Sequence, residues 1–241
     1  LISRMDAVVA TTPEAADYVP HVAAVVPHGV DTDLFVPPED RAKAWASTGM
    51  PGQFGIGIVG RVRPEKGTDL FVESMLQVLP QRPEFSAIII GRALAQHAAF
   101  EQSLKDQIRQ AGLESRCRFV GEVPPQKMPQ LIQGLSLLVA PPRYEGYGVT
   151  PLEGMACGAP VVASDTGAFA EMIVQGQTGY VVPVGDVPAL TDAILNITAD
   201  RHRLVQMGLD ARERVVQHFA LAQEAEQINN IYQQLWNGDR F

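Results

Sequence analysis

Short apolar runs alternate with amphipathic stretches along most of the chain. The apolar runs are nearly continuous, as in Ile88-Ile-Ile90 and Leu137-Leu-Val139, which is expected of strands that helices cover on both faces. The pattern predicts strands at residues 54–60, 85–91, 117–120, 135–140, 160–164 and 179–182. The amphipathic stretches predict helices at residues 68–79, 97–111, 128–133, 151–157, 168–173, 188–197, 201–218 and 221–236. This alternation predicts an α/β fold with a doubly wound, mainly parallel sheet of about six strands.

The first 30 residues show a separate βα pattern. Residues 6–10 predict a strand, and a helix should follow, with Thr12 as its cap and Pro13 in its first turn. A lone βα unit cannot bury its apolar face by itself. Residues 1–30 are therefore interpreted as the last βα unit of a preceding α/β domain, together with a linker.

Two further segments complete the predicted organisation. Residues 31–220 should form the main domain, and residues 221–241 a terminal helix. That helix carries apolar side chains at helical spacing, which predicts a docking face. They are Ile228, Ile231, Tyr232 and Leu235. The chain lacks a starting methionine, so a longer parent protein is expected.

Composition narrows the functional classes. The 241 residues carry a net charge of -8, which argues against a broad nucleic-acid-binding surface. No apolar run reaches the roughly 18 residues of a membrane span, and the first residues lack the pattern of a signal peptide, so a cytoplasmic protein is expected. Cys117 and Cys157 fit neither a disulfide framework nor a zinc site and are interpreted as buried free thiols. Trp45 and Trp236 are interpreted as packing residues.

Three glycines have the spacing of a dinucleotide-binding motif but do not lie between a strand and a helix, as that motif requires. Gly55, Gly57 and Gly60 form a literal G-x-G-x-x-G, but a dinucleotide site requires these glycines after a strand and at the start of a helix. Here they fall within the predicted strand, and the next helix begins only near Thr68. The match is interpreted as a coincidence.

The loop that follows this strand is rich in cations. Arg61 and Lys66 lie where a parallel sheet presents its carboxyl edge, at which such proteins bind ligands. There they would neutralise a diphosphate, the arginine as a fork and the lysine as a point charge. The alternative is a solvated loop whose basic residues pair with Glu65 and Asp69.

The segment from Arg143 to Glu153 carries the strongest indication of a ligand site. Glu145 and Glu153 lie on either side of a glycine-bearing turn, and Pro151 marks a helix start. Backbone N–H groups at a helix N-terminus attract anions, and carboxylates accept hydrogen bonds from sugar hydroxyls. The combination predicts a site for a sugar and a phosphate.

Glu153 also has a purely structural interpretation. Thr150-Pro-Leu-Glu153 is a capping-box sequence, in which Thr150 caps the helix and Glu153 closes back onto the Thr150 backbone. No local motif claims Glu145, which is therefore expected to have no structural partner. Both interpretations of Glu153 stay open at this point.

Several motifs follow one another along nearly the whole chain. They include His28-Gly-Val-Asp31, Gly60-Arg-x-x-x-x-Lys66-Gly67, Glu145-Gly-Tyr-Gly-x-x-x-x-Glu153 and Gly176-x-Thr-Gly179. Together they resemble glycosyltransferase family 4, the retaining transferases of GT-B fold. The sequences of residues 60–71 and of Gly121-Glu-Val-Pro most resemble those of bacterial lipopolysaccharide-core mannosyltransferases. The resemblance implies a Rossmann-like domain, the C-terminal half of a GT-B fold, which binds the sugar donor.

The resemblance implies a role for each candidate residue. Glu145, Arg61 and Lys66 would be the catalytic group, Glu145 by holding hydroxyls of the donor sugar and the two cations by holding the departing diphosphate. Stabilising that leaving charge would be the main catalytic contribution. The remaining donor contacts would come from the backbone of Gly146, Tyr147 and Gly148 to the sugar, the backbone of Val149 and Thr150 to the phosphates, Glu153 to the ribose, and Val120 and Val123 to the base.

The resemblance also implies ligands and partners. The donor would be a nucleotide-diphosphate sugar, with GDP-mannose favoured, and the acceptor a lipopolysaccharide-core or related glycan or lipid-linked molecule. No metal and no cofactor is expected. Apart from residues 1–30, the family's N-terminal acceptor domain would be missing, and residues 221–241 would be the helix that crosses back to it. This chain alone should therefore transfer sugar poorly. Any contact with the inner membrane would be peripheral and made through the missing domain.

Base recognition and reaction type each leave an alternative open. Some mannosyltransferases place an acidic residue after the base-binding strand to read guanine, a region in which this chain has Pro124-Pro125. The chain would be a nucleotide-sugar-binding module without turnover if no acceptor domain accompanies it. It would be a sugar-nucleotide epimerase or hydrolase if the same fold catalyses epimerisation or hydrolysis of the sugar nucleotide instead of transfer.

Overall fold

The fold is built on a central sheet of six parallel strands. The computed structural model describes residues 5–19 and 21–238. In these ranges the strands are β1 (Val9–Ala10), β2 (Ala24–Val25), β3 (Phe54–Val59), β4 (Phe85–Ile90), β5 (Cys117–Gly121), β6 (Leu135–Ala140), β7 (Val161–Ser164) and β8 (Gly179–Val182). The central sheet has the order β5-β4-β3-β6-β7-β8, and β1 and β2 form a separate parallel pair. The predicted α/β fold with six mainly parallel strands is confirmed.

Helices cover both faces of the sheet. Over the described residues they are α1 (Pro13–Asp17), α2 (Arg41–Ala46), α3 (Thr68–Gln81), α4 (Ala98–Gln110), α5 (Met128–Gly134), α6 (Thr150–Ala156), α7 (Phe169–Met172), α8 (Val187–Ala199), α9 (Arg201–His218) and α10 (Leu221–Trp236). One apolar cluster lies between the sheet and α3, α4 and α8. A second lies between the sheet and α2, α5, α6 and α7. Burial on both sides explains why the strands read as continuous apolar runs.

The strand order reverses between β3 and β6. β3 leads to β4 and β5 on one side, whereas β6 leads to β7 and β8 on the other. In open α/β sheets the loops at the carboxyl ends of the strands diverge at such a point and leave a crevice. The loops that follow β3 and β6 are the two that carry the predicted site, residues 60–67 (the cation loop) and residues 141–150 (the Glu145 loop).

Two short elements were not predicted, β2 and α2. Helix α2 begins after Asp40, whose side chain accepts a hydrogen bond from Lys43 N at 3.0 Å. It buries Trp45, which is 1% exposed, as expected of a packing residue. Trp236 is 92% exposed in this chain, so its interpretation as a packing residue is wrong.

Packing accounts for the glycines inside β3. A Cβ atom on Gly55 would lie 2.4 Å from the Trp45 ring, and one on Gly57 would lie 2.5 Å from the Leu135 side chain. Packing alone therefore requires small residues at these two positions. Cys117 and Cys157 are buried free thiols, which confirms that interpretation.

The β1–α1–β2 unit has the predicted helix cap but a shorter strand. Thr12 Oγ1 accepts a hydrogen bond from Ala15 N at 3.0 Å, whereas the predicted strand at 6–10 is reduced to Val9–Ala10. The apolar face of α10 lines a groove of about 410 Å³ together with Met5, Ala7 and Val9. The predicted segments 1–30 and 221–241 both extend outside the described residues. Across residues 5–19 and 21–238, none of the helices is long and apolar enough to cross a membrane.

Candidate functional site

Two adjacent cavities lie at the carboxyl edge of the sheet, where the strand order reverses. Val59 and Gly60, at the end of β3, line both of them. The larger, of about 360 Å³, extends to the ends of β4 and β5 and is called the β4-side cavity. The smaller, of about 70 Å³, extends to the end of β6 and the start of α6 and is called the β6-side cavity. Together they form the candidate cleft.

The β6-side cavity brings two predicted catalytic residues together. Lys66 Nζ lies 2.6 Å from Glu145 Oε2, and the side chains are only 28% and 19% exposed. Glu145 Oε1 also accepts a hydrogen bond from Gly146 N at 3.2 Å. The expectation that Glu145 has no structural partner is therefore wrong. Its partner lies 79 positions away and reaches it only because β3 and β6 are neighbours.

The two loops that carry this pair are fastened to each other. Arg143 donates to both carboxylate oxygens of Asp69, at 2.8 and 2.7 Å, and to Pro64 O at 2.6 Å. Gly67 adopts a φ of +68°, and a Cβ atom there would lie 1.8 Å from Pro141 O. Only glycine permits this approach. The positions of Lys66 and Glu145 are thus fixed relative to each other by contacts outside the cavity.

Pairing within the cation loop matches the solvated-loop alternative only in part. Arg63 Nε lies 3.9 Å from Glu65 Oε2, as that alternative expects. Asp69, however, pairs with Arg143, and Lys66 pairs with Glu145. Among the described residues, the Arg61 side chain has no ion-pair partner or hydrogen bond. It is exposed and lines the β4-side cavity. Of the two cations predicted for the site, Lys66 is therefore paired and Arg61 is not.

The β4-side cavity has a charged rim and an apolar wall. Arg92 Nε lies 2.9 Å from Glu122 Oε2 at the rim, and both side chains are more than half exposed. Val123, one of the two residues predicted to contact the base, belongs to the wall together with Met128. Val120 does not line either cavity and is 43% exposed on β5.

The glycine-bearing turn lies between the cleft and the protein interior. Gly146 and Val149 are exposed, whereas the Tyr147 side chain is buried with 9% exposure. Gly148 adopts a φ of +79° and lies against Phe169, so that a Cβ atom would come within 2.5 Å of the ring. Gly148, Thr150 and Phe169 all line the β6-side cavity. The backbone of this turn is therefore at the cavity wall, and the tyrosine side chain is directed away from it.

The predicted capping box does not form. Val149 is the residue before α6, Thr150 is its first residue, and no side chain caps the helix. The Glu153 carboxylate makes no hydrogen bond or ion pair with any of the described residues, and it lines neither cavity. Burial raises the pKa of Glu153 to about 7, because removing a carboxylate from water disfavours its charged form. Glu153 is therefore a half-buried carboxylate without a partner among the described residues, and it is available to a ligand.

Comparison with known proteins places the chain in a family. The model of the glycosyl transferases group 1 matches residues 16–214. The chain belongs to this family. It is 48% identical over its whole length to a lipopolysaccharide core biosynthesis mannosyltransferase, LpcC of Rhizobium leguminosarum bv. viciae, of which the match covers 68%. It is 44% identical to LpsB of Rhizobium meliloti (strain 1021), which carries the same description, over 98% of this chain and 67% of LpsB. The chain thus spans about two thirds of either relative.

Two solved structures share the fold. The C-terminal domain of a group 1 family protein from Francisella tularensis is 31% identical, with a TM-score of 0.77 over 80% of this chain and 100% of that domain. HepE from Anabaena, determined in complex with UDP, is 26% identical, with a TM-score of 0.85 over 95% of this chain and 64% of HepE. The six-stranded domain described above is therefore the C-terminal domain of a GT-B transferase.

In this group 1 transferase, the sequence did not indicate every residue of the cleft. Glu122 directly follows the end of β5, and the rule that ligands bind at carboxyl ends of strands would have identified it. Arg143 and Phe169 carry no such signal, because their roles depend on loops that are distant in sequence. The cleft can hold an extended anion along Arg61 and Lys66 and a hydroxylated group at Glu145.

Proposed function

We propose that this chain binds a nucleotide-diphosphate sugar in the cleft and supplies the donor site of a retaining glycosyl transferase. The observation that carries the proposal is the Lys66–Glu145 pair, in a cavity beside the start of α6. A cation and a carboxylate at 2.6 Å offer one group for a phosphate and one for sugar hydroxyls. An ammonium group has three donors, so Lys66 can keep Glu145 while it binds a phosphate oxygen.

The diphosphate would lie along β3, between Arg61 and Lys66. These side chains approach the cleft from the β4 side and the β6 side, respectively. As the sugar leaves, negative charge develops on the diphosphate, and fixed cations in a shielded site stabilise that charge. The backbone of Val149 and Thr150 would add N–H donors at the start of α6.

The sugar would lie against the Glu145 loop. Gly146 supports this arrangement because the fold itself does not require a glycine there. A Cβ atom at this position would meet nothing within 4 Å, and its φ is not in the left-handed region. Close approach of a ligand to the backbone is a reason for glycine that packing does not supply. Glu145, next to it, would then accept hydrogen bonds from the sugar hydroxyls.

Guanine is the base that we propose for the β4-side cavity. Guanine presents neighbouring N–H donors on one edge, and the Glu122 carboxylate at the rim can accept from two donors at once. Uracil presents a single N–H between two carbonyl groups, which a carboxylate would repel. Val123 and Met128 would contact the face of the base. The proposal of GDP-mannose also draws on the two rhizobial relatives, which are named as mannosyltransferases.

The acceptor would be a glycan of the lipopolysaccharide core or a related molecule, as the names of these relatives indicate. An N-terminal domain of the parent protein would bring it to the cleft. The β1–β2 pair supports such a domain, because two strands alone do not make a stable sheet. Ile228, Ile231 and Tyr232 on α10 line the adjacent groove, as the predicted docking face requires.

Calorimetry and a transfer assay on the same sample test these proposals. The 241-residue chain should bind GDP and GDP-mannose more tightly than UDP and UDP-glucose, and should transfer mannose poorly. No binding of any nucleotide would contradict the donor site, and tighter binding of UDP would contradict the guanine assignment. Efficient transfer by this chain alone would contradict the need for an acceptor domain. Release of free mannose or of an epimer would instead support a hydrolase or an epimerase.

A further inference from the structure

The Glu145 loop is anchored to the linker through one buried side chain. Tyr147 Oη donates a hydrogen bond to His28 O at 2.9 Å. The Tyr147 and His28 rings also meet edge to face, with centroids 4.9 Å apart. Burial raises the pKa of Tyr147, with smaller contributions from Glu171 and Glu224. The phenol is therefore a constant donor at physiological pH.

His28 is held in turn by the terminal helix. Its Nδ1 lies 2.9 Å from Glu224 Oε1, and Glu224 Oε2 accepts a hydrogen bond from Gly29 N at 2.7 Å. Glu224 lies in the first turn of α10. One carboxylate thus fixes both the side chain of residue 28 and the backbone of residue 29.

The linker and the start of α10 are also joined directly. Val30 N donates to Phe219 O, and Leu221 N donates to Val30 O, both at 2.9 Å. A Cβ atom on Gly29 would lie 2.7 Å from the Leu221 backbone, so the two segments touch at a glycine. Any displacement of the start of α10 must therefore displace His28.

The other side of the Glu145 loop rests on small residues. A Cβ atom on Gly167 would lie 3.1 Å from Glu145 O, and Glu145 N donates to Thr166 Oγ1 at 3.4 Å. Tyr147 O accepts from Ala168 N, also at 3.4 Å. These long hydrogen bonds are weak. The shorter bond from Tyr147 to His28 is the stronger restraint on the backbone two residues after Glu145.

We propose that Tyr147 is a positioning residue for Glu145, and that His28 and Glu224 hold Tyr147 in place. The contacts link the carboxylate in the cleft to α10, in the order Glu145, Tyr147, His28, Glu224. The inference rests on the proposed function in one respect, because Glu145 is taken to bind the donor sugar. Loss of the tyrosine hydroxyl should then affect binding of the sugar and leave binding of the nucleotide intact.

Tyr147→Phe tests this inference with the smallest possible change. The variant should bind GDP-mannose roughly 2- to 10-fold more weakly, the range expected for one net hydrogen bond, and should bind GDP as before. In combination with Glu145→Gln it should add little, because two changes that act through one contact are less than additive. Glu224→Ala should reproduce the effect, and Glu224→Gln should largely restore it, since the amide oxygen still accepts from Gly29 N.

Tyr144→Phe is the matched control. Tyr144 lies in the same loop, is 76% exposed, and should tolerate the change without effect on either ligand. Equal loss of GDP and GDP-mannose affinity in Tyr147→Phe would overturn the inference, as would full additivity with Glu145→Gln.

Amide hydrogen exchange without ligand separates this inference from the proposed function. Tyr147→Phe should accelerate exchange at residues 145–148 and leave exchange at residues 60–67 unchanged. Unchanged exchange at 145–148 would overturn the positioning role. A third outcome combines faster exchange at 145–148 in Tyr147→Phe with a wild-type chain that binds no nucleotide sugar. It would contradict the proposed function and retain the structural link.

Discussion

The two edges of the central sheet use the same kind of side chain in opposite ways. At the amino edge, Arg41 donates to the backbone carbonyls of Gln133, Leu135, Cys157 and Gly158. Arg116 likewise donates to carbonyls of Arg82 and Phe85. At the carboxyl edge, Lys66 meets one carboxylate, and Arg61 meets no described residue. A cation whose donors are taken by carbonyls holds loops together, whereas one with free donors can bind a ligand.

The cavities at the two edges also differ in the polarity of their walls. Behind the amino edge, a cavity of about 300 Å³ is lined largely by apolar side chains, including Phe54, Leu204 and Leu209. The cleft at the carboxyl edge is rimmed by charges. Concave shape alone therefore does not identify the site; the residual hydrogen-bonding capacity of its walls does. Changes at the amino edge should alter stability, and changes at the carboxyl edge should alter binding.

Arg41→Ala should have the largest effect, and on stability alone. It would leave four carbonyls without a charged donor, so the free energy of unfolding should fall by about 3 kcal/mol or more. The folded fraction should bind GDP as the wild type does. Urea unfolding and calorimetry on one sample check both parts. Lys43→Ala, an exposed change in the same helix, is the control and should be silent. Weaker GDP binding by folded Arg41→Ala would break the distinction between the two edges.

Lys66→Ala and Arg61→Ala should give the opposite result. Each should weaken GDP binding on the order of 10- to 100-fold, since a charge-assisted hydrogen bond contributes roughly 1.5–3 kcal/mol. Binding of guanosine, which lacks the diphosphate, should change little. Lys127→Ala is a suitable control because Lys127 is exposed and lines neither cavity. Equal losses for GDP and guanosine would show that these cations do not reach the phosphates.

Glu145→Gln should have a smaller, mixed effect. Because it removes the partner of Lys66, the free energy of unfolding should fall by about 1 kcal/mol, the upper value for a pair that is not fully buried. Affinity for GDP-mannose should fall, whereas affinity for GDP should not, because Lys66 is released to bind phosphate. Titrations with both ligands decide the matter. A parallel fall for GDP would place Glu145 at the nucleotide instead of the sugar.

Glu153 should give an effect that appears only as a pH dependence. Its pKa is raised to about 7 in the folded chain, whereas in the unfolded chain it stays near its ordinary value of about 4.3. Between these values the folded state binds the extra proton, so this group's contribution to stability is lost as pH rises from about 4.5 to 7. Glu153→Gln should lack that loss, as urea unfolding at both ends of the range would show.

The same residue should also link pH to binding. In the proposed ribose contact, the hydroxyls would donate to the ionised carboxylate, so guanosine affinity should rise as pH passes about 7, the pKa of Glu153. Guanosine is the better probe because it carries no phosphate that titrates. A flat profile, or the same profile in Glu153→Gln, would leave Glu153 without a role in the nucleotide site.

The sequence was informative where structure depends on local pattern. The strands of the central sheet were predicted to within one residue because each is a short apolar run covered by helices on both faces. Helix α2 was missed because it has only six residues and buries Trp45 alone, although Asp40 offered a cap. The capping box at Thr150 did not form because the same four residues also fit a helix that begins one position earlier, at Thr150 itself.

The loops that form the site could be predicted from their motifs, but the contacts between these loops could not. Both loops were identified as ligand sites because of their cations, carboxylates and glycines. The pairing of Lys66 with Glu145 depends on β3 lying beside β6, which periodicity does not reveal. Tyr147 was assigned through its backbone alone, and its bond to His28 crosses 119 positions.

The contact of Gly67 with Pro141 O makes one wall of the cleft more rigid than the other. On that side, the close packing of Gly67 and the Arg143–Asp69 bonds join the cation loop to the Glu145 loop. The opposite wall, around Gly146 and Val149, is exposed, and the hydrogen bond from Tyr147 to His28 is its main restraint. Sugars of different shape would therefore be accommodated on the Gly146 side, while the distance between Lys66 and the strand edge stays constant. A change of donor specificity in this scaffold should accumulate at Gly146 and Val149 and spare residues 64–67.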